Sequence, residues 1–224
     1  MIITIDGPAA SGKSSVAQAL AEHYGLSYLG TGYLYRAAAY LLYANKPPVM
    51  REMALSELEQ LRSLRYTYTA GKVAITFGDT DVFAAMHTMP HIDTCASLAG
   101  ADAAVRAELL QVFRAYAAEH AASGIVADGR DCGTVIFPQA TVKFFLTASP
   151  HARAQRIFAD PSRHNKNQSL ETIEHTLSER DRRDSTRRVA PLVPAVGAII
   201  IDNSALSLQE TIVVMVDYVD SGCN

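Results

Sequence analysis

The sequence predicts an α/β fold in which a parallel β-sheet is wrapped on both faces by helices, three layers in all. Three observations predict it. The chain opens with a short apolar strand, IITID (2–6), a glycine-bearing loop, GPAASGKSS (7–15), and a helical stretch, SSVAQALAEHYG. Further strand candidates, IVADGRD (125–131), TVKFFLTA (141–148) and VGAIIID (196–202), alternate with helical stretches, the pattern of parallel strands joined by helical crossovers. One stretch, RYTYTAGKVAITF (65–77), instead reads as a β-hairpin, which in such a chain is an insert and not core sheet.

Each element has a local reason. In the first helix Val16, Leu20 and Tyr24 recur at i, i+4 and i+8 on one face, and Gly25 follows as a C-terminal stop. Residues 33–44 read as helix until Pro47 and Pro48 break the pattern, and 52–62 as another. In the hairpin, Tyr66 and Tyr68 alternate with polar neighbours, as do Val73, Ile75 and Phe77, with Gly71 between the runs. Residues 102–120 are alanine-rich and helical, 150–159 helical, 160–168 a polar, mobile stretch, and 170–184 a highly charged helix. VGAIIID is expected to be the last buried strand. Ser207 then heads a final helix with Glu210 three residues on, a capping box.

A chain of 224 residues that is 49% hydrophobic supports a sizeable core, and excludes a largely disordered protein. No apolar run approaches the roughly 18 residues needed to span a bilayer. The N-terminus meets Asp6 and Gly-Pro, so it does not read as a signal peptide. The net charge of −3 argues against nucleic acid as partner. That average hides an asymmetry. Residues 151–190 carry nine Arg+Lys against six Asp+Glu, and the rest of the chain eleven against seventeen. Fifteen of the twenty basic residues are arginine, the side chain suited to bidentate grip on phosphate or carboxylate. Cys95, Cys132 and Cys223 are too scattered for a zinc site, and fit a reducing, cytoplasmic compartment.

The most specific local signal is the loop 7–15, which fits G-x-x-x-x-G-K-[ST] at Gly7, Gly12, Lys13 and Ser14, after a strand and before a helix. Gly7, Pro8, Ala9, Ala10, Ser11, Gly12, Lys13, Ser14 and Ser15 would cradle phosphate oxygens. Lys13 would reach the β- and γ-phosphates of a nucleoside triphosphate, and Ser14 would ligate Mg²⁺. Asp128, at the end of IVAD, would lie at the carboxyl edge of the sheet and support the metal. Strand-end aspartates are common, so that pattern alone leaves a turn role open.

RDRRDSTRR (180–188) sets Arg180, Arg183 and Arg187 at i, i+3 and i+7, on one helical face, with Asp181 and Asp184 beside them. A solvated, salt-bridged helix would look similar. The run ends against APLVP, which anchors it, and phosphoryl transfer between polyanions needs cations that close over the transition state. Arg153 and Arg156 would supply the other flank of such a lid. Arg36, Arg106 and Arg130 stand in low-charge settings and could grip a second, acceptor phosphate.

With these parts in hand the chain resembles the bacterial cytidylate kinase family of P-loop nucleoside monophosphate kinases over essentially its whole length. The resemblance rests on GTGYLYRA (30–37), VADGRDCGTVIFPQATVKFFLTAS (126–149) and RDRRDSTRRVAPLVPA (180–195). It implies a P-loop core (about 1–37, 106–150 and 190–224), a CMP-binding insert bearing the hairpin (about 38–105) and a lid (about 151–189). It implies a cytoplasmic monomer that uses MgATP to phosphorylate CMP or dCMP. By resemblance, Thr31, Arg36, Arg130 and Arg187 surround the acceptor phosphate, and Ser97, Arg106 and Asp131 read cytosine. Arg180 and Asp184 match residues at the sugar, and Arg156 and Arg183 the lid cations; with Lys13 and Arg130 these two form the catalytic set. The chain departs from the family pattern at Gly30, where the family usually has Asp, and at Ala10, Ser15 and Ile157, where it usually has Gly, Thr and a second lid Arg. Restoring the acid, Gly30→Asp, is expected to raise turnover or CMP affinity. A kinase for another small acceptor (UMP, shikimate, dephospho-coenzyme A) or a nucleotide-binding switch shares the loop. NKNQ at 165–168 lacks the carboxylate of the N-K-x-D guanine reader.

Overall fold

The computed structural model describes residues 1–44, 46–47, 49–89, 91–160 and 168–222. Pro48, most of the polar stretch read at 160–168, and Cys223 therefore lie outside the described residues. In chain order the elements are β1 (Ile2–Asp6), α1 (Lys13–Tyr24), β2 (Ser27–Gly30), α2 (Thr31–Tyr43), α3 (Leu55–Glu59), β3 (Leu64–Thr69), β4 (Lys72–Phe77), β5 (Thr80–Asp81), α4 (Phe83–Thr88), α5 (Ile92–Ala101) and α6 (Ala103–Glu119). They continue with β6 (Ile125–Gly129), β7 (Val142–Thr147), α7 (Pro150–Ala159), α8 (Leu170–Thr186), β8 (Ile199–Asp202) and α9 (Leu208–Asp220). The chain is thus α/β, with a parallel five-stranded sheet of order β2-β6-β1-β7-β8 and a small antiparallel sheet β3-β4-β5. Two compact units divide it: residues 1–26 with 126–224, and residues 27–125.

In the first unit β1 runs parallel to β7, Ile3 facing Val142 and Ile5 facing Phe144. Ile3, Ile5, Phe144 and Leu146 are buried on one face, and Thr4 and Asp6 on the other, as a sheet covered on both faces requires. β8 departs from the expectation of a buried strand. It is the edge strand, only four residues long, and Ile200 is 62% exposed while Ile201 is buried. With one neighbour to pair with, its alternate side chains meet solvent. The helix starts follow the capping rules. Ser149 accepts from the backbone N–H of Ala152, Ser169 from that of Thr172, and Ser207 from that of Glu210, whose carboxylate bonds back to the Ser207 N–H. No helix among the described residues is long and apolar enough to cross a membrane.

In the second unit the hairpin forms as expected, with Tyr66 opposite Ile75. Its two-residue turn places both Ala70 (φ 50°) and Gly71 (φ 76°) in the left-handed region, the twist such turns need. The inner face carries Leu64, Tyr66 and Ile75, and Tyr66 meets Tyr116 edge to face at 5.1 Å. The sequence predicts no element between the hairpin and residue 102. Two helices fill that span, α4 and α5, and α5 packs along α2. Asp102 caps α6 by accepting from the N–H groups of Ala104 and Val105.

Candidate active site

The phosphate loop is held open by its backbone. Gly7 (φ 152°) must be glycine, because a Cβ there would lie 2.0 Å from the Leu146 carbonyl oxygen. Gly12 (φ 91°) is the left-handed N-cap of α1, and Ala10 (φ 59°) takes the same region without glycine's freedom. Ala10 is kept there by packing: Ala9 and Ala10 join Ala154, Ile157, Leu170, Ile173 and Leu177 in one apolar cluster contributed by α7 and α8.

Lys13 is buried and folds back on the loop, its Nζ donating to the Pro8 carbonyl at 2.5 Å and to Ser11 Oγ at 3.3 Å. Burial holds its ammonium well below the usual lysine range, and the Arg130 and Arg180 charges act in the same direction against Asp128 and Asp6. Burial is thus the main reason the site disfavours a bare ammonium, ahead of any neighbouring charge. Ser14 Oγ donates to Asp128 Oδ2 at 3.0 Å, so the hydroxyl and carboxylate expected to serve a metal do meet. Both offer hard oxygen ligands, which suits Mg²⁺, an ion that takes few ligands from protein and the rest from phosphate and water. Among the described residues no cluster of three or more His, Cys, Asp or Glu side chains is placed to hold a metal.

Two groups that the sequence did not single out brace this loop. Asp6, at the end of β1, accepts the backbone N–H groups of Cys132 (2.8 Å) and Gly133 (2.7 Å), and so fixes the turn that follows Arg130 and Asp131. Burial pushes its carboxyl up to about 6 against those two hydrogen bonds, with Asp131 adding to the rise. Asn203, just past β8, donates from Nδ2 to the Ser11 carbonyl at 3.0 Å. The only signals for them in sequence are their positions at the carboxyl ends of strands.

The arginines fall into distinct roles. Arg153 was expected as a lid cation, but it is 2% exposed and fully engaged. Its Nε donates to the Ala148 carbonyl, Nη1 to the Ala9 carbonyl of the phosphate loop, and Nη2 to Asp181 Oδ2 at 2.6 Å. It is a pin and not a free charge. Arg156 bonds Asn203 through its side-chain and backbone oxygens and borders a cavity of about 280 Å³ with Gly12, Ser15 and Leu206. Arg183 is exposed on α8. Arg187 is not on that helical face: α8 ends at Thr186, and Arg187 is extended (φ −62°, ψ 143°), stapled by its Nε to the Ala190 carbonyl. From there it lies 3.5 Å from Asp131, while Arg130 donates to Asp184 at 2.9 Å. Burial alone would raise the Asp184 carboxyl, but the Arg130, Arg180 and Arg187 charges hold it below the usual range.

In the second unit Thr31 is buried in the first turn of α2, after Gly30. Arg36, in the second turn, pairs with Asp93 of α5 at 2.8 Å. Arg106 donates to the Gly100 carbonyl at 3.0 Å and lies over the Tyr35 ring at 5.5 Å, while Ser97 stands half-buried on α5. Position 30 is crowded by two tyrosine side chains, which must shift to admit any Cβ. A Cβ on Gly30 would lie 2.6 Å from the Tyr28 hydroxyl and 2.6 Å from the Tyr33 ring.

Comparison with known proteins agrees with this architecture. A family profile described as cytidylate kinase matches residues 3–221. A cytidylate kinase of Mannheimia succiniciproducens is 35% identical over 98% of this chain and 96% of its own length. Cytidylate kinase 1 of Haemophilus influenzae is 37% identical over 95% and 90%. Among solved structures, a shikimate kinase from Bacteroides thetaiotaomicron superposes with a TM-score of 0.53 at 10% identity, covering 98% of each chain, which is a likeness of fold alone. With its phosphate loop, its Ser14–Asp128 pair and a match that runs almost from end to end, this chain belongs to the cytidylate kinase family.

Proposed function

We propose that the protein transfers the γ-phosphoryl group of ATP to CMP or dCMP, releasing ADP and CDP or dCDP. The observation that carries the reading is the hydroxyl–carboxylate pair of Ser14 and Asp128 beside a buried Lys13, in a chain matched by the cytidylate kinase profile from residue 3 to 221. An oxygen of the acceptor phosphate attacks the γ-phosphorus in line, and the bond to the β,γ-bridging oxygen breaks toward ADP. No side chain becomes covalently attached. Lys13 leaves the Pro8 carbonyl for the polyphosphate, whose negative charge offsets the cost of burying the ammonium. Mg²⁺, held by Ser14 and Asp128, would supply charge neutralisation across the phosphates. Arg130, Arg156 and Arg183 counter the charge of the transferring group.

In this reading Thr31, Arg36, Arg130 and Arg187 bind the acceptor phosphate, and Arg180 and Asp184 the sugar. Ser97, Arg106 and Asp131 read the base: a carboxylate takes the cytosine amine, and Ser and Arg donate to its acceptors. We assign residues 38–105 to acceptor binding and 151–189 to a lid over a P-loop core. The partners are small nucleotides, and the protein acts as a cytoplasmic monomer.

An acceptor panel tests this. With MgATP, ADP release is expected with CMP and dCMP, with kcat/KM for UMP and AMP lower by roughly 100-fold or more, because a wrong base leaves buried polar groups unpaired. Lys13→Ala should abolish CMP-dependent ADP release while circular dichroism stays native. Equal rates on UMP and CMP would remove the base-reading assignment, and near-normal turnover by Lys13→Ala the kinase assignment.

A further inference from the structure

Helix α2 carries a single formal charge, Arg36, and helix α5 a single formal charge, Asp93. The two helices pack along each other, and these two charges meet at 2.8 Å. Arg36 does not extend into solvent. A Cβ on Gly32 would lie 3.7 Å from its Nη1, so the side chain folds back over the first turn of α2. That is the direction helical side chains favour, and it brings the guanidinium to the helix N-terminus, where backbone N–H groups also attract an anion. Asp93 sits in the first turn of α5, where the helix dipole favours its charged form.

We propose that Asp93 is a positioning residue for the acceptor: by holding Nη2 of Arg36 it fixes the guanidinium over the N-terminus of α2, with its remaining donors set for the acceptor phosphate. The proposal rests on the reading of Arg36 as a phosphate ligand. The guanidinium's fork of five N–H donors lets it keep one carboxylate and still offer an edge to a phosphate. The pair is not there chiefly for stability. The Asp93 side chain is 57% exposed and that of Arg36 27%, and ion pairs so open to water add little to folding. Its effect belongs in binding, through the rotamer freedom that Arg36 would otherwise lose on each encounter.

The test uses the full chain and steady-state kinetics with CMP varied at saturating MgATP, for Asp93→Ala, Asp93→Asn, Asp93→Glu, Arg36→Ala and the Arg36→Ala/Asp93→Ala double variant. Asp93→Ala and Asp93→Asn are expected to raise KM for CMP roughly tenfold, with kcat, KM for ATP and the urea midpoint little changed. Asp93→Glu should recover part of the loss. In the Arg36→Ala background, loss of Asp93 should add nothing. If Arg36→Ala raises KM for CMP and the Asp93 variants do not, or if they raise it equally without Arg36, the proposal falls while the reading of Arg36 stands. If Arg36→Ala itself leaves KM for CMP unchanged, the reading of Arg36 falls and takes the role of Asp93 with it.

Discussion

Arg153→Met tests the pin between the phosphate loop and the helix pair α7 and α8. The native guanidinium is buried and makes three hydrogen bonds, two to carbonyls (Ala148 at 2.9 Å, Ala9 at 3.0 Å) and one to Asp181 at 2.6 Å. Methionine fills similar space and donates nothing. Each orphaned buried carbonyl costs about 1 kcal/mol or more. The stranded Asp181 carboxylate would cost several kcal/mol if fully buried, but it is 24% exposed, so water recovers most of that and about 1–2 kcal/mol remains. No longer burying the guanidinium returns part of the total, and the net loss is about 3 kcal/mol. For a chain of this length that lowers Tm by roughly 6–12 °C. Urea unfolding followed by circular dichroism reads it directly. The Ala9 carbonyl also borders the strained Ala10, so KM for ATP should rise roughly tenfold. Asp181→Asn, which keeps Arg153 bonded to both carbonyls, should cost less than half as much. Stability within about 0.5 kcal/mol of the parent for Arg153→Met, with KM for ATP unmoved, would refute the pin.

Gly30→Asp, which the family pattern presents as a restoration, is expected to destabilise the chain by about 1–3 kcal/mol and to lower kcat/KM, because its Cβ meets Tyr28 and Tyr33. Gly30→Asp/Tyr33→Ala should recover much of the stability, since the Tyr33 ring is only half-buried, and unfolding curves for the two variants decide it. Asp6 predicts a pH effect. With its folded-state carboxyl pushed up to about 6 from 3.8, it binds its proton more tightly folded than unfolded. That contribution is present at low pH and is lost as pH rises from about 4 through 6, by up to about 3 kcal/mol. Asp6→Asn removes this slope, so the stability of the parent relative to the variant should fall as pH rises over that window; parallel stability curves from pH 4 to 7 would contradict it.

The parts legible in sequence were those whose physics is local. The phosphate loop needs Gly7 and Gly12 because of backbone angles and a single close carbonyl, and the capping residues at 149, 169 and 207 act within one turn. What escaped depends on partners far along the chain. Asp6 looked like the last residue of a strand until its two N–H donors arrived from positions 132 and 133. Arg153 looked like a lid cation because its carbonyl at residue 9 is invisible to helical periodicity. Arg187 kept the spacing of a helical face after the helix had ended. The short helices α4 and α5 were missed for a local reason: six and ten residues give periodicity too little length to register. At position 30 the sequence records the missing acid and not the two tyrosines that crowd its place.

The charge asymmetry also changes meaning once distances are known. The arginine-rich segment reads as a reservoir of free cations, yet three of its described arginines already meet carboxylates: Arg153 with Asp181, Arg182 with Glu179, and Arg187 with Asp131. Arg130 with Asp184 and Arg36 with Asp93 repeat the arrangement outside it. Where such a cation is buried, as at Arg153 and Arg187, it cannot stand uncompensated, and a carboxylate holds it. A phosphate that engages Arg130, Arg187 or Arg36 therefore meets an existing ion pair, and its affinity is the difference between two sets of contacts, not the strength of one. Removing such an acid then has two opposed effects, release of a competitor and loss of the arginine's orientation. Where the pair is buried, as at Asp184, the second must dominate, because the arginine left behind also loses its compensation. At Asp93, where water screens the competition, orientation is again what remains.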